Sequence, residues 1–164
     1  MKIEGTQELR AERERVYQSL TDPEVLQRCI PGLERLEETA ENTYTAKLKT
    51  GVGAVKGDFQ STVRLEDMRP PEHYRIVVDG KGGPGFVKGS GDFDLEDCPA
   101  GTLIKYRGDI QVGGPIAGVG QRMILGAAKM MASQFFSALE AEARTEPGDS
   151  PPKHGFIRNV IRKF

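Results

Sequence analysis

The chain has no tryptophan, two cysteines and two histidines in 164 residues. Cys29 and Cys98 are too few for a disulfide framework and fit a reducing compartment. His73 and His154 have no second His or Cys at ligand spacing, so no metal site is expected. No Ser–His–Asp set can be assembled from so few histidines. Nor does any carboxylate pair fall in an apolar setting that would raise a pKa for acid–base work. Glu12 with Glu14, and Glu37 with Glu38, read as solvated charge. These absences favour a binding protein over an enzyme. No apolar run approaches the roughly 18 residues of a spanning helix. The opening MKIEGTQELRAERERV is polar, unlike a signal peptide, so the body is expected in the cytoplasm. A net charge of -1 argues against a general nucleic-acid binder, which would be basic.

What is present is alternation. Residues 2 to 9 place Ile3, Gly5, Gln7 and Leu9 on one face, as in a half-buried strand. Val16 and Leu20 then recur at helical spacing. Asp22-Pro23-Glu24 is a helix start, with Asp22 as cap, Pro23 at the first helical position and Glu24 in the first turn. Pro31-Gly32 ends that second, brief helix. Alternating segments follow over 33–39, 43–49, 55–65, 74–80, 87–95 and 104–112, each apolar on one face, as in an antiparallel sheet with one covered side. Glycines inside them (Gly57, Gly80, Gly89, Gly91 and Gly108) imply sharp bending or a closely approaching body.

The stretch from Gly113 to Arg144 reads as the one long helix. Arg122, Lys129, Ser133, Glu140 and Arg144 fall on one side at helical spacing. Ala117, Ile124, Ala128, Met131 and Phe135 fall opposite, joined by the small residues Gly120, Ala127 and Ala138. Small residues with flexible Met side chains either pack closely on a sheet or leave room for a ligand. The expected fold is α+β, a helix-grip arrangement. A curved antiparallel sheet of about seven strands carries two short helices and one long C-terminal helix over an apolar cavity.

The glycine-rich GKGGPGF from Gly80 to Phe86 is not a phosphate loop, since its spacing is wrong and it lies between two strands. Phe86 reads as a lid over the cavity or as a plain hydrophobic anchor. Residues 145–152 form a polar, proline-broken linker. In the tail, residues 153–164, Phe156, Ile157, Val160, Ile161 and Phe164 recur at helical spacing, with Arg158, Arg162 and Lys163 on the other side. Such a basic amphipathic segment can lie on an anionic bilayer, dock in a partner's groove, or pack back on the body.

MKIEGTQEL, DPEVLQRCIPG (Asp22 to Gly32), GKGGPGFVKGSG (Gly80 to Gly91) and QVGGPIAGVGQRMILGAAKMMASQFF (Gln111 to Phe136) together resemble the carbon monoxide dehydrogenase G-subunit family. That family belongs to the START-like (polyketide cyclase/lipid transport) superfamily. The resemblance covers roughly residues 1 to 139, and the second and fourth strings are its specific part. It implies a START-like ligand-binding domain over 1–144 and a non-catalytic accessory protein. The implied partner is an aerobic, molybdenum-containing carbon monoxide dehydrogenase or a related hydroxylase, recruited to the inner face of the cytoplasmic membrane. It supplies no catalytic residues to carry over.

Joined to the residue pattern, this role points to a lipophilic ligand, a respiratory quinone (menaquinone or ubiquinone) or another lipid. Ala117, Ile124, Ala127, Ala128, Met131 and Phe135 would line the cavity from the helix. Phe59, Tyr74, Ile76, Phe86, Val87, Phe93, Ile104, Tyr106 and Ile110 would line it from the sheet. On this reading Ala128→Phe should block uptake. The competing readings are a ligand-free scaffold for the dehydrogenase with a filled core, and a small-molecule enzyme of the wider superfamily, for which Gln134 and Tyr106 are the residues to watch.

Overall fold

The structure, a computed structural model, describes residues 1–52 and 55–144. The linker and the tail expected beyond residue 144 lie outside the described residues. Strand β1 (Lys2–Leu9) is followed by helices α1 (Arg13–Leu20) and α2 (Pro23–Cys29). Six strands come next: β2 (Leu33–Ala40), β3 (Thr43–Val52), β4 (Val55–Arg69), β5 (His73–Gly82), β6 (Gly85–Cys98) and β7 (Gly101–Gly113). A short 3-10 turn (Pro115–Val119) leads into helix α3 (Gln121–Arg144). One antiparallel sheet runs β1-β7-β6-β5-β4-β3-β2, so the first strand in sequence closes one edge beside the last.

The alternation of the sequence sets the two faces. Tyr74 pairs with Phe93 and Phe93 with Tyr106, so all three share the concave face, as do Val63 and Val78. The opposite, convex face carries Lys47, Gln60, Lys81 and Lys88 in the same registers. The Asp22 carboxylate accepts the Glu24 amide at 2.9 Å, and Pro23 occupies the first turn of α2, as the capping signal implies.

The long helix differs from expectation at its start. It begins at Gln121, not Gly113, because Gly114 (φ 81) and Gly120 (φ 96) take backbone conformations that break a right-handed helix. Between them the turn is pinned to the β5–β6 hairpin by the Ile116 amide, which donates to the Pro84 carbonyl at 2.7 Å. The buried residues of α3 are Ile124, a member of the expected face, and Phe136, Leu139 and Ala143, which lie further round the helix and further along it. Its C-terminal half packs on Leu9, Val16, Tyr17, Leu20 and Ile104 to form the main core. Two carboxylates secure that half. Glu140 accepts from the Arg10 amide at 2.8 Å and from Arg10 Nε at 3.4 Å, and Glu142 accepts from both prongs of Arg28 on α2.

Candidate ligand cavity

With the C-terminal half of α3 committed to the core, its middle spans open space. A cavity of about 360 Å³ lies there, between α2, α3 and the concave face. Tyr44, Ala46 and Leu48 of β3, Ser61, Val63 and Leu65 of β4, and Tyr74, Ile76 and Val78 of β5 form its floor, with Phe93 of β6 beside them. Leu26 of α2, the following Ile30 and Pro31, and Leu33 and Leu36 of β2 form a side wall. Leu20 and Thr21 at the end of α1 close one end, and Met131, Ala132 and Phe135 of α3 make the roof. No side chain in this lining is charged at neutral pH. Leu20, Leu65 and Tyr74 are buried, whereas Ala46, Leu48, Ser61 and Val78 are partly exposed, so the cavity is closed at the α1 end and opens towards the β5–β6 hairpin.

A second, almost wholly apolar hollow of about 280 Å³ continues along the same face. It shares Ile76, Val78 and Phe93 with the first and adds Ile3, Val87, Tyr106 and Ile110. Its floor includes Gly89, Gly91 and Gly108, which raise no side chain into it. At Gly108 the neighbouring strand itself comes close: a Cβ there would lie 2.9 Å from the Ser90 carbonyl oxygen.

Larger hollows exist elsewhere, about 630 Å³ on the convex face and about 720 Å³ beside the β1–α1 connection. The first is lined by Arg35, Glu37, Lys47, Asp79, Lys81 and Lys88, and the second by Arg10, Glu12, Arg13, Glu14 and Asp97. Both are solvated charged surface. The lining of the smaller cavity sets it apart.

Of the residues expected around a cavity, Tyr74, Ile76, Phe93, Met131 and Phe135 line the first hollow, and Val87, Tyr106 and Ile110 line the second. The remainder lie elsewhere. Ile104 is fully buried in the main core, and Phe59 is buried on the concave face outside the lining of both hollows. Ile124 is buried near the start of α3, while Ala127 and Ala128 are half-buried on α3 and reach neither hollow. Ala117 is exposed, because it belongs to the 3-10 turn and not to the helix. Phe86 is no lid. It stands on the convex face with the Lys88 ammonium 5.6 Å from its ring centroid, since the tight hairpin puts it one residue out of phase with Val87. Gln134 is exposed on α3.

The α2 side wall was missed. Its signal is present in the sequence: α2 carries Val25 and Cys29 on one edge and, at the same four-residue spacing, Leu26 and Ile30 on the next. The first pair is buried and the second half-buried against the cavity. That is more apolar surface than a seven-residue helix needs for one packing contact.

Polar groups in the cavity are few. Thr21 Oγ1 donates to the Tyr17 carbonyl at 2.9 Å. Burial raises the Tyr44 phenol above its ordinary pKa, with smaller contributions from Glu38 and Asp22, and burial raises that of Tyr74 further. His73, buried, is on the convex face, its Nδ1 2.8 Å from Asp94 and its Nε2 3.2 Å from Asp67. No cluster able to hold a metal ion occurs among the described residues, nor any helix long and apolar enough to cross a membrane.

A family model described as the G subunit of carbon monoxide dehydrogenase (CoxG) matches residues 5–144. No protein of curated function matches the chain by sequence. Among solved structures, a conserved protein from Geobacillus kaustophilus is 39% identical, with 87% of this chain and 95% of that chain covered and a TM-score of 0.84. A START superfamily protein from Mycobacterium smegmatis shares the fold at 17% identity, with 87% and 96% covered and a TM-score of 0.67. So does the di-domain ARO/CYC BexL from the BE-7585A biosynthetic pathway, at 15% identity, with 90% and 51% covered and a TM-score of 0.63. Matched over most of its length and built on a frame shared with START superfamily proteins and an aromatase/cyclase, the chain belongs to the carbon monoxide dehydrogenase G-subunit (CoxG) family.

Proposed function

We propose that the protein is a non-catalytic accessory protein that carries a lipophilic ligand, a respiratory quinone (menaquinone or ubiquinone) or another lipid. In this proposal it links an aerobic molybdenum carbon monoxide dehydrogenase, or a related hydroxylase, to the inner face of the cytoplasmic membrane. One observation carries the ligand part: the cavity of about 360 Å³ is on the scale of small-molecule sites and presents no charged side chain. A filled scaffold has no use for that volume. An acid–base enzyme needs titratable groups facing the substrate, and this lining offers only phenols and aliphatic hydroxyls. Family membership supports the partner. Electrons leaving a soluble oxidoreductase must reach quinones dissolved in lipid, and a carrier with an apolar cavity meets that need.

The test is native mass spectrometry and solvent extraction of the full chain purified from its natural host. An isoprenoid quinone or other lipid at near-stoichiometric yield is expected, and repeated recovery of lipid-free protein sinks the carrier reading. For the membrane link, deletion of residues 153–164, with Phe156, Ile157, Arg158, Val160, Ile161, Arg162, Lys163 and Phe164, should release the protein from anionic liposomes. Unchanged co-sedimentation counts against it.

A further inference from the structure

We infer that the Tyr74 hydroxyl is the recognition group of the cavity, donating a hydrogen bond to a neutral carbonyl oxygen on the leading end of an otherwise hydrocarbon ligand. The inference rests on the carrier reading above and adds to it the chemistry and orientation of the ligand.

Tyr74 is 3% exposed and lines the cavity. Its ring is held on two sides, stacked on Phe93 at 5.0 Å with 7° between planes, and edge-on to Tyr17 at 5.9 Å. Tyr17 donates its hydroxyl to the His73 carbonyl at 3.0 Å, as a buried phenol ordinarily does. The Tyr74 hydroxyl has no hydrogen-bond partner among the described residues. A buried donor without an acceptor is costly, and such groups in native proteins call for an explanation. An acceptor arriving with a ligand supplies one. Burial raises the phenol well above its ordinary pKa, with a smaller contribution from Tyr17, so the hydroxyl keeps its proton available to donate.

The acceptor is neutral. No Lys, Arg or His lines the cavity, so a carboxylate or phosphate head would be buried without a counter-charge. Orientation follows from burial. Tyr74 stands at the closed end with Leu20 and Leu65, so the oxygen-bearing end enters first. The hydrocarbon chain then trails over Ile76 and Val78, which also line the second hollow, and runs on towards Val87 and Ile110.

The test compares wild type with Tyr74→Phe, using 2-methyl-1,4-naphthoquinone and its oxygen-free counterpart 2-methylnaphthalene as probes in equilibrium dialysis. Loss of one neutral hydrogen bond should weaken the naphthoquinone about three- to tenfold and leave the naphthalene unchanged. The ligand-free variant should melt no lower than wild type, because the group removed has no internal partner. Unaltered naphthoquinone affinity, or equal weakening of both probes, overturns the inference and leaves the cavity reading standing. A lowered melting temperature of the ligand-free variant also overturns it, by showing that the hydroxyl is bonded within the protein. Failure of the wild type to bind either probe overturns both readings together.

Discussion

Arg28 of α2 and Glu142 of α3 meet in a two-pronged ion pair, Nε to Oε2 at 2.9 Å and Nη2 to Oε1 at 2.8 Å, which ties the side wall of the cavity to its roof helix. Glu142 is mostly covered and Arg28 about half exposed, so the pair is partly screened. Glu142→Ala should cost about 0.5–1 kcal/mol in denaturant unfolding. Amide exchange should rise in α2 before it rises in β6. An unchanged exchange pattern in α2 would show that its own packing holds the wall.

Ala132 lines the cavity roof between Met131 and Phe135, whereas Ala128, one turn earlier on the same side of α3, lies outside the lining. Ala132→Phe should fill the space and abolish lipid recovery, with an overpacking cost of about 1–3 kcal/mol. Ala128→Phe should leave recovery intact. Lipid uptake by a folded Ala132→Phe variant would place the ligand outside this hollow.

The Arg10 backbone amide, ahead of burial and of the Arg10 side chain, sets the titration of Glu140 and holds its carboxyl below the usual carboxylate range. A depressed folded pKa stabilises the fold above the unfolded value, about 4.3, and that contribution is lost as pH falls through the folded pKa. The stability gap between wild type and Glu140→Gln should therefore be full at neutral pH. It should shrink below about pH 5 and vanish once both states are protonated. A gap independent of pH would mean that Glu140 acts through packing alone.

Burial pushes the Cys29 thiol up to about 12, and the side chain is 3% exposed. At pH 8 a maleimide should label Cys98, which is partly exposed, and leave Cys29 unmodified until the protein unfolds. Labelling of Cys29 at the same rate as Cys98 would reveal that the α2 wall opens in the native state.

Much of the frame was legible because strand alternation has a period of two and each face has one environment. Phe93 and Tyr106 could be assigned to the concave side from parity alone. The α2 boundaries followed from Asp22, Pro23 and Pro31-Gly32, whose backbone chemistry is local. The site was less legible, since a cavity is a property of what fails to meet. Helical spacing puts Ala128 and Phe135 on a common face, but whether that face touches sheet, solvent or space depends on how α3 lies across the sheet. Glu140 and Glu142 help to set that angle through partners 130 and 114 residues away. Phe86 was misplaced for a smaller reason: the glycines of its hairpin hid how short the turn is, and one residue of phase exchanges the two faces.

The distribution of fastenings along α3 has a mechanical consequence. Both carboxylate clamps, Arg10–Glu140 and Arg28–Glu142, grip its last turns, and Phe136, Leu139 and Ala143 are seated there too. Its leading end is joined to the sheet through a turn bounded by Gly114 and Gly120. The helix is thus a beam clamped by side chains over its last turns and held at its leading end by buried Ile124 and the Ile116–Pro84 backbone bond, with Met131, Ala132 and Phe135 partway along the span. A beam held this way deflects most at its more lightly fastened end and hardly at all at its root. Any opening of the roof is therefore expected on the hairpin side, where the two hollows meet, with the seat beneath Tyr74 keeping its shape.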